Sequence, residues 1–188
     1  MKKQLFILGV ATIIGLSGCG NNSSNDDQSS NKKESNQSEM DHSKMNHSGS
    51  SEVPEGLQEA KNPTYKLGSE ATIKADHMKG MNGAKATIVG AYDTTVYTVS
   101  YTPTTGGEKV ANHKWVIQEE IKDADDKTLK PGTEVTLEAD HMEGMKGAKA
   151  TIDSAEKTTV YMVDYTPTTG GEKVTNHKWV TENELSAK

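Results

Sequence analysis

Ala84-Lys85-Ala86-Thr87-Ile88-Val89 and Thr94-Thr95-Val96-Tyr97-Thr98-Val99-Ser100-Tyr101 decide the fold. The first alternates small or apolar with polar residues at a period of two, and the second is dense in β-branched and aromatic residues, so both read as strands. Upstream, Ala71-Thr72-Ile73 alternates as well. Downstream, Lys114-Trp115-Val116 follows a turn from Pro103 to Gly107. Glycines and prolines fall between these runs, and no stretch holds a helical period for longer than Gln118 to Ile121. The class is therefore all-β.

Working outward, the same features recur. His77 returns as His141, His113 as His177 and Trp115 as Trp179, at a constant offset of 64 residues. Residues 66–122 align on 130–186 without a gap, and roughly two thirds of the aligned positions are identical, the mark of a tandem duplication. Each copy is expected to form about four or five short strands. Their order (a Gly-x-Glu strand start, a Gly-x-x-Gly-Ala turn, a Val-Tyr-x-Val-x-Tyr strand, a long turn, then Trp-Val and an acidic last turn) is similar to that of SH3-like small barrels of the KOW or Tudor type. The expectation is a first β domain over 53–122, a short polar linker over 123–129 and a second β domain over 130–188. A unit this small has a small core, so packing of one copy on the other is expected to contribute to stability.

The N-terminal part is of another kind. Lys2 and Lys3 precede an apolar run from Leu5 to Leu16, and Leu16-Ser17-Gly18-Cys19 closes it with small residues before a cysteine. Residues 1–18 read as a signal peptide and Cys19 as a lipidation site; the run is too short to span a bilayer. The expected location is the extracellular face of the cell membrane, held by a lipid anchor. Cys19 is the only cysteine, so zinc-finger and iron–sulfur sites are excluded. The formal charge is −6, and loss of Lys2 and Lys3 with the signal makes the mature chain more acidic. That balance argues against nucleic acid as a partner. Residues 19–52 are polar and read as a flexible tether.

Three constellations carry candidate chemistry. Met40, His42, Met45 and His47 stand in the tether as Met-x-His-x-x-Met-x-His, where no core exists for a methionine to fill. Thioether and imidazole favour copper(I), copper(II) or silver over magnesium or calcium. Histidines alone would suit zinc or nickel as readily; the interleaved methionines tilt the reading to copper, with Cu(I) favoured over Cu(II). The second is His77-Met78-Lys79-Gly80-Met81-Asn82-Gly83, repeated as His141-Met142-Glu143-Gly144-Met145-Lys146-Gly147. Its glycines permit positive φ and hence a bent loop that brings His77, Met78 and Met81, or His141, Met142 and Met145, toward one ion. Those methionines read equally as plugs of an open barrel end. The third is Asn112-His113-Lys114-Trp115 with its copy Asn176-His177-Lys178-Trp179. Here the tryptophans read as core residues, or as indoles that cover an ion held by nearby Met and His. Asp76 and Asp140 precede each loop histidine and read either as partners that orient its ring or as solvated turn residues. The Thr102-Pro103-Thr104-Thr105-Gly106-Gly107 turn shows no evident chemistry, and no catalytic arrangement stands out.

The duplicated His-Met-x-Gly-Met-x-Gly-Ala-x-Ala-Thr-Ile, Val-Tyr-x-Val-x-Tyr-Thr-Pro-Thr-Thr-Gly-Gly and Asn-His-Lys-Trp-Val segments resemble the YdhK-type lipoproteins of Gram-positive bacteria over nearly the whole mature chain. Some members, the CopL-type lipoproteins, are associated with copper tolerance. The resemblance implies a protein that binds copper at the cell surface through the Met/His set named above. The residues themselves point to no enzyme; the oligomeric state is left open, with a monomer expected, and a copper exporter or the cell wall is the further partner considered. The rival expectation is a metal-independent interaction module for cell-wall polymer or another surface protein, with Tyr97, Tyr101, Tyr161 and Tyr165 offering an aromatic face unless they form the core.

Overall fold

The structure, a computed structural model, describes residues 48–187. The signal segment, Cys19 and the tether residues Met40, His42, Met45 and His47 lie outside the described residues. Among those described, the regular elements are strands β1 (Gln58–Glu59), β2 (Glu70–Ile73), β3 (Lys85–Tyr101), β4 (Val110–Ile117), β5 (Glu134–Thr136), β6 (Lys149–Tyr165), β7 (Val174–Thr181) and β8 (Leu185–Ala187). Two single 3-10 turns, Gln118–Glu120 and Glu182–Glu184, follow β4 and β7. The chain is all-β, as its patterning requires.

The two deciding stretches do not form separate strands. They fuse into β3, 17 residues long, and their repeats fuse into β6. The reason is the partner: β3 and β6 pair antiparallel along their length, from Ala86 opposite Tyr165 to Tyr101 opposite Ala150. This ladder carries the chain through Gly90-Ala91-Tyr92-Asp93, a segment whose own residues mark a break. A register shift accompanies it between Ile88 and Gly90, and a second falls between Thr98 and Val99. At each shift one residue has no opposite number, Val89 on β3 and Asp153 on β6, and these two are themselves repeat equivalents. Gly90 leaves room there for the Tyr92 ring, which a Cβ would approach to 2.7 Å, a strand glycine placed where another group approaches closely.

Thr94 pairs with Thr158, its own repeat equivalent. An approximate two-fold axis therefore passes through the middle of the long ladder. β6 holds one edge of β3 throughout, while β2, β1 and β4 occupy the other edge in turn. β7 lies on β6 as β4 lies on β3.

This topology replaces two closed, side-by-side barrels with one open sheet shared by the copies. It also crosses their cores. One core joins Ile73, Met81, Ala84 and Ile88 of the first copy to Tyr161, Val163, Tyr165, Val180 and Leu185 of the second. The other joins Tyr97, Val99, Tyr101, Val116 and Ile121 of the first copy to Leu137, Met145, Ala148 and Ile152 of the second. Because each long strand runs from one core into the other, every core is built from the N-terminal half of one copy and the C-terminal half of its mate. A third, central cluster holds Val96, Trp115, Ile117, Val160, Met162 and Trp179. Tyr97, Tyr101, Tyr161 and Tyr165 are all buried, so they are core residues and offer no aromatic face.

Candidate functional site

The crossing of the copies sets the geometry of the candidate site. The loop after β2 carries His77, and the turn after β7 carries Glu184 of the other copy. His77 Nε2 lies 2.6 Å from Glu184 Oε1. The same carboxylate accepts the Trp115 indole N–H at Oε2 (2.8 Å) and the backbone N–H of Thr181 (3.0 Å). The two-fold mate repeats this with the copies exchanged. His141 Nε2 lies 2.7 Å from Glu120 Oε1, Trp179 Nε1 donates to the Glu120 carboxylate at 3.2 Å, and the Ile117 N–H donates to Glu120 Oε2 at 3.2 Å.

These bonds are charge-assisted and partly buried, the setting in which hydrogen bonds to an ionised group contribute most. For Glu184, burial pushes the carboxyl pKa upward, but His77, the Thr181 N–H and Trp115 outweigh it and hold the group at about 2. A carboxylate fixed on one imidazole nitrogen sets the ring's orientation and leaves the other nitrogen to act as a ligand.

The loop itself is built as its glycines require. Gly80 and Gly83 have φ of 80° and 79°, and Gly144 and Gly147 have 74° and 81°. The Thr-Pro-Thr-Thr-Gly-Gly turn, which shows no chemistry in sequence, plays a structural part. The backbone N–H of Thr168 donates to Gly80 O, and that of Thr104 to Gly144 O, each at 2.8 Å. Each turn clamps the His-Met loop of the other copy. The fit is close, since a Cβ on Gly80 would lie 2.6 Å from Thr169 Oγ1 and 2.9 Å from Pro167 Cβ.

The methionines divide. Met81 and Met145 are fully buried, one in each crossed core. They are core fillers, and the reading of these two as ligands is corrected: the loop turns back at its second glycine and sends the thioether inward, where an unbranched side chain fills an irregular gap. Met78 and Met142 are half-buried at the loop tips. Asp76 and Asp140 are exposed, so the loop histidines are oriented by the distant glutamates rather than by their sequence neighbours.

The Asn-His-Lys-Trp segments complete the site. Asn112 and Asn176 adopt φ of 52° and 51°, a left-handed conformation that asparagine tolerates better than most residues. The N–H of Asn112 donates to Ser100 Oγ (3.1 Å) and that of Asn176 to Asp164 Oδ1 (2.8 Å). Register shifts flank Val99 opposite His113 and Val163 opposite His177. These irregularities re-aim the histidines: His113 sits edge-on to Tyr101 at 5.9 Å and His177 edge-on to Tyr165 at 5.7 Å, centroid to centroid.

His113 also faces His141 of the other copy at a ring-centroid distance of 6.3 Å, and its Nε2 is buried without a hydrogen-bond partner. Burial, followed by the neighbouring His141 and His77, pushes the His113 pKa down to about 4 against an opposing pull from Glu120. It is a neutral imidazole at physiological pH. Trp115 and Trp179 belong to the central cluster, yet they also meet the site, with the Trp115 ring 6.2 Å from that of His77. The core reading of the tryptophans holds, and each indole N–H is in addition bonded to a site glutamate.

Glu120 and Glu184 are the residues that sequence reasoning missed. The available signal was a glutamate five residues after each Trp, kept at the same offset of 64 within an otherwise variable last turn. Among the described residues no group of three or more His, Cys, Asp or Glu side chains is placed to hold a metal.

Comparison with known proteins places this architecture. The family described as "Protein of unknown function (DUF1541)" matches twice, at residues 67–118 and 131–182. The "Uncharacterized protein YdhK" of Bacillus subtilis (strain 168) is 66% identical over 187 residues, spanning 100% of this chain and 90% of the relative. The crystal structure of the DUF1541 family protein YdhK from that species is 74% identical, covers 78% of this chain and 100% of its own, and superposes with a TM-score of 0.75. A solution structure of the YdhK C-terminal domain is 75% identical, covers 65% of this chain and 93% of its own, and gives a TM-score of 0.63. With two matched copies and a close relative along its whole length, the chain belongs to the DUF1541 family.

Proposed function

We propose that this chain is a surface-anchored, non-enzymatic lipoprotein that binds and buffers copper, with Cu(I) as the favoured ion. The observation that carries the reading is the pair His113 and His141, contributed by different copies, with ring centroids 6.3 Å apart. Two imidazoles coordinating one ion from opposite sides stand at about this separation, given Cu–N bonds similar to the ~2.0 Å of other imidazole–metal bonds. His113 Nε2 is buried without a hydrogen-bond partner, and a neutral ring needs no proton removed before it binds a metal. His141 is oriented by Glu120 in the manner of a ligand histidine supported from behind.

The same two-fold relates this pair to His177 and His77. Met78 and Met142 at the loop tips, with Met40, His42, Met45 and His47 of the tether, add soft donors of the kind that select copper(I). Lipidation at Cys19 holds the whole set outside the membrane, away from cytosolic thiols.

The test is titration of the soluble mature chain with Cu(I) against a competing chelator. The expected result is stable binding. It should weaken when His77, His113, His141 and His177 are replaced, weaken further when the four tether ligands are replaced, and survive replacement of Met81 and Met145 as far as the fold survives. No stable binding, or binding unchanged after loss of all eight ligands, overturns the proposal.

A further inference from the structure

The two strand edges related by the two-fold axis carry the same residues but are occupied differently. β4 and β7 pair with β3 and β6 in one register, with Val99 opposite His113 in the first copy and Val163 opposite His177 in the second. Along the outer edge of β7 lies a strap, residues 48–52. The Gly49 N–H donates to Thr175 O (2.9 Å), the Thr175 N–H donates to Ser48 Oγ (3.0 Å), Asn176 Nδ2 donates to Gly49 O (3.4 Å), and Lys178 Nζ donates to Glu52 O. Burial pulls the Lys178 pKa down, and the nearby Glu120 and Glu52 carboxylates oppose it. The edge bends at Asn176, whose φ is 51°, and a Cβ on Gly49 would lie 2.6 Å from Asn176 O. Glycine is what lets the strap close on the bend.

β4 presents the same receptor. Ala111-Asn112-His113-Lys114 repeats Thr175-Asn176-His177-Lys178, and Asn112 makes the same bend, with φ of 52°. The strap holds Thr175 by its backbone alone, so alanine serves equally at that position. No segment equivalent to the strap lies along this edge among the described residues. Ala111, Asn112 and Lys114 are accordingly exposed where Thr175, Asn176 and Lys178 are half-buried. An edge lysine and a bent backbone discourage pairing with a regular strand; the occupant of β7 shows that a glycine-containing extended segment fits such an edge.

We propose that the outer edge of β4, from Ala111 to Lys114, is a docking site for an extended segment of another protein with the strap's chemistry: a hydroxyl residue, then a glycine, then a carboxylate facing Lys114. Strand addition of this kind draws affinity from main-chain hydrogen bonds and selectivity from the side chains beside them. A second copy is a poor source. The chain has one strap for two receptor edges, and its own β7 seat holds that strap at an effective concentration in roughly the millimolar range, which a neighbouring chain must match to compete. The site does not depend on copper.

The test uses the soluble mature chain (Cys19→Ser), isotope-labelled for NMR, and the acetylated peptide Ser-Gly-Ser-Ser-Glu-Val-Pro, the sequence of residues 48–54. In the chain with its own strap in place, the peptide shifts the amide signals of 111–114 saturably while those of 175–178 hold. In Gly49→Val, which releases the strap, both sets shift, and a peptide with valine for its glycine shifts neither. Lys114→Gln weakens docking at 111–114 and leaves 175–178 of the Gly49→Val chain unchanged. Shifts at 175–178 alone in Gly49→Val, or at neither edge, overturn the proposal. Shifts at 111–114 that grow with protein concentration without peptide, and vanish in Gly49→Val, assign the edge to the strap of a second copy and overturn the stated partner.

Discussion

A chain cut down to its first copy, residues 48–126, should not fold as a monomer. Its share of the first core (Ile73, Met81, Ala84, Ile88 and neighbours) would lose Tyr161, Val163, Tyr165, Val174, Val180 and Leu185, all supplied by the second copy. Its share of the other core would lose Leu137, Met145 and Ile152. Burial of a large apolar side chain stabilises by ~1.5–3 kcal/mol. The six partners missing from the first core alone therefore represent roughly 9–18 kcal/mol, as much as the whole net stability of a typical domain, ~5–15 kcal/mol. The register supplies an escape: Thr94 pairs with its own equivalent Thr158, so two first copies can pair Thr94 with Thr94 and exchange halves. Sedimentation with far-UV dichroism should show an unfolded chain at low concentration and a folded dimer at high concentration. A dilute, monomeric fragment with dispersed amide signals would refute the claim that the cores are crossed.

Met81→Ala should lower stability by ~2–5 kcal/mol, the cost of a large-to-small change in a packed core, while a folded Met81→Leu variant keeps Cu(I) affinity, measured by chelator competition; a loss of affinity with stability retained would restore Met81 as a ligand. Gly80→Ala should destabilise by at least ~1–2 kcal/mol from its left-handed backbone alone, with contact against Thr169 adding to this, and chemical denaturation would read it. His113 has a pKa lowered from 6.5 to about 4, so the unfolded chain takes up the proton first: its contribution to stability is complete above 6.5 and is lost as pH falls toward 4. Comparing unfolding midpoints at pH 7.5 and 5 should show a smaller decline for His113→Gln than for the unaltered chain. Glu184, held at about 2, contributes stability that is complete above its ordinary 4.5 and is lost as pH falls toward 2, so Glu184→Gln should flatten only the decline below 4.5.

Strand patterning along Ala84–Val89 and Thr94–Tyr101 made the β class legible, and the repeat offset made the duplication legible. The merger of those stretches into one 17-residue strand was not, because it depends on a partner strand rather than on local preference: Gly90 and Asp93 mark a break to any local rule, and only the ladder with β6 overrides it. Crossing of the cores is hidden for the same reason. Apolar residues alternate identically whether they face their own copy or its mate, so periodicity marks a face and not its occupant. His77 and His141 stood out by residue type, but Glu120 and Glu184 did not, since an acidic residue in a terminal turn is ordinarily solvated and its role here comes from a contact between copies. Met81 was ambiguous because a thioether suits both a core and a soft metal.

Duplication with exchange explains why the site takes the form it does. If each copy closed on itself, His77 would meet the glutamate of its own last turn, Glu120, and each site would be complete in one copy. In the crossed fold His77 meets Glu184 and His141 meets Glu120, so neither site exists until the whole chain has folded. Assembly of the ladder and assembly of the two His–Glu–Trp clusters are thus one event. A two-fold arrangement of this kind would give two equal sites, and equal sites fill together over a narrow range of free ion. The segment at residues 48–52 breaks the equality at β7 alone. Under the copper reading the two sites are then unequal, and unequal sites fill over a wider range of free ion than equal ones.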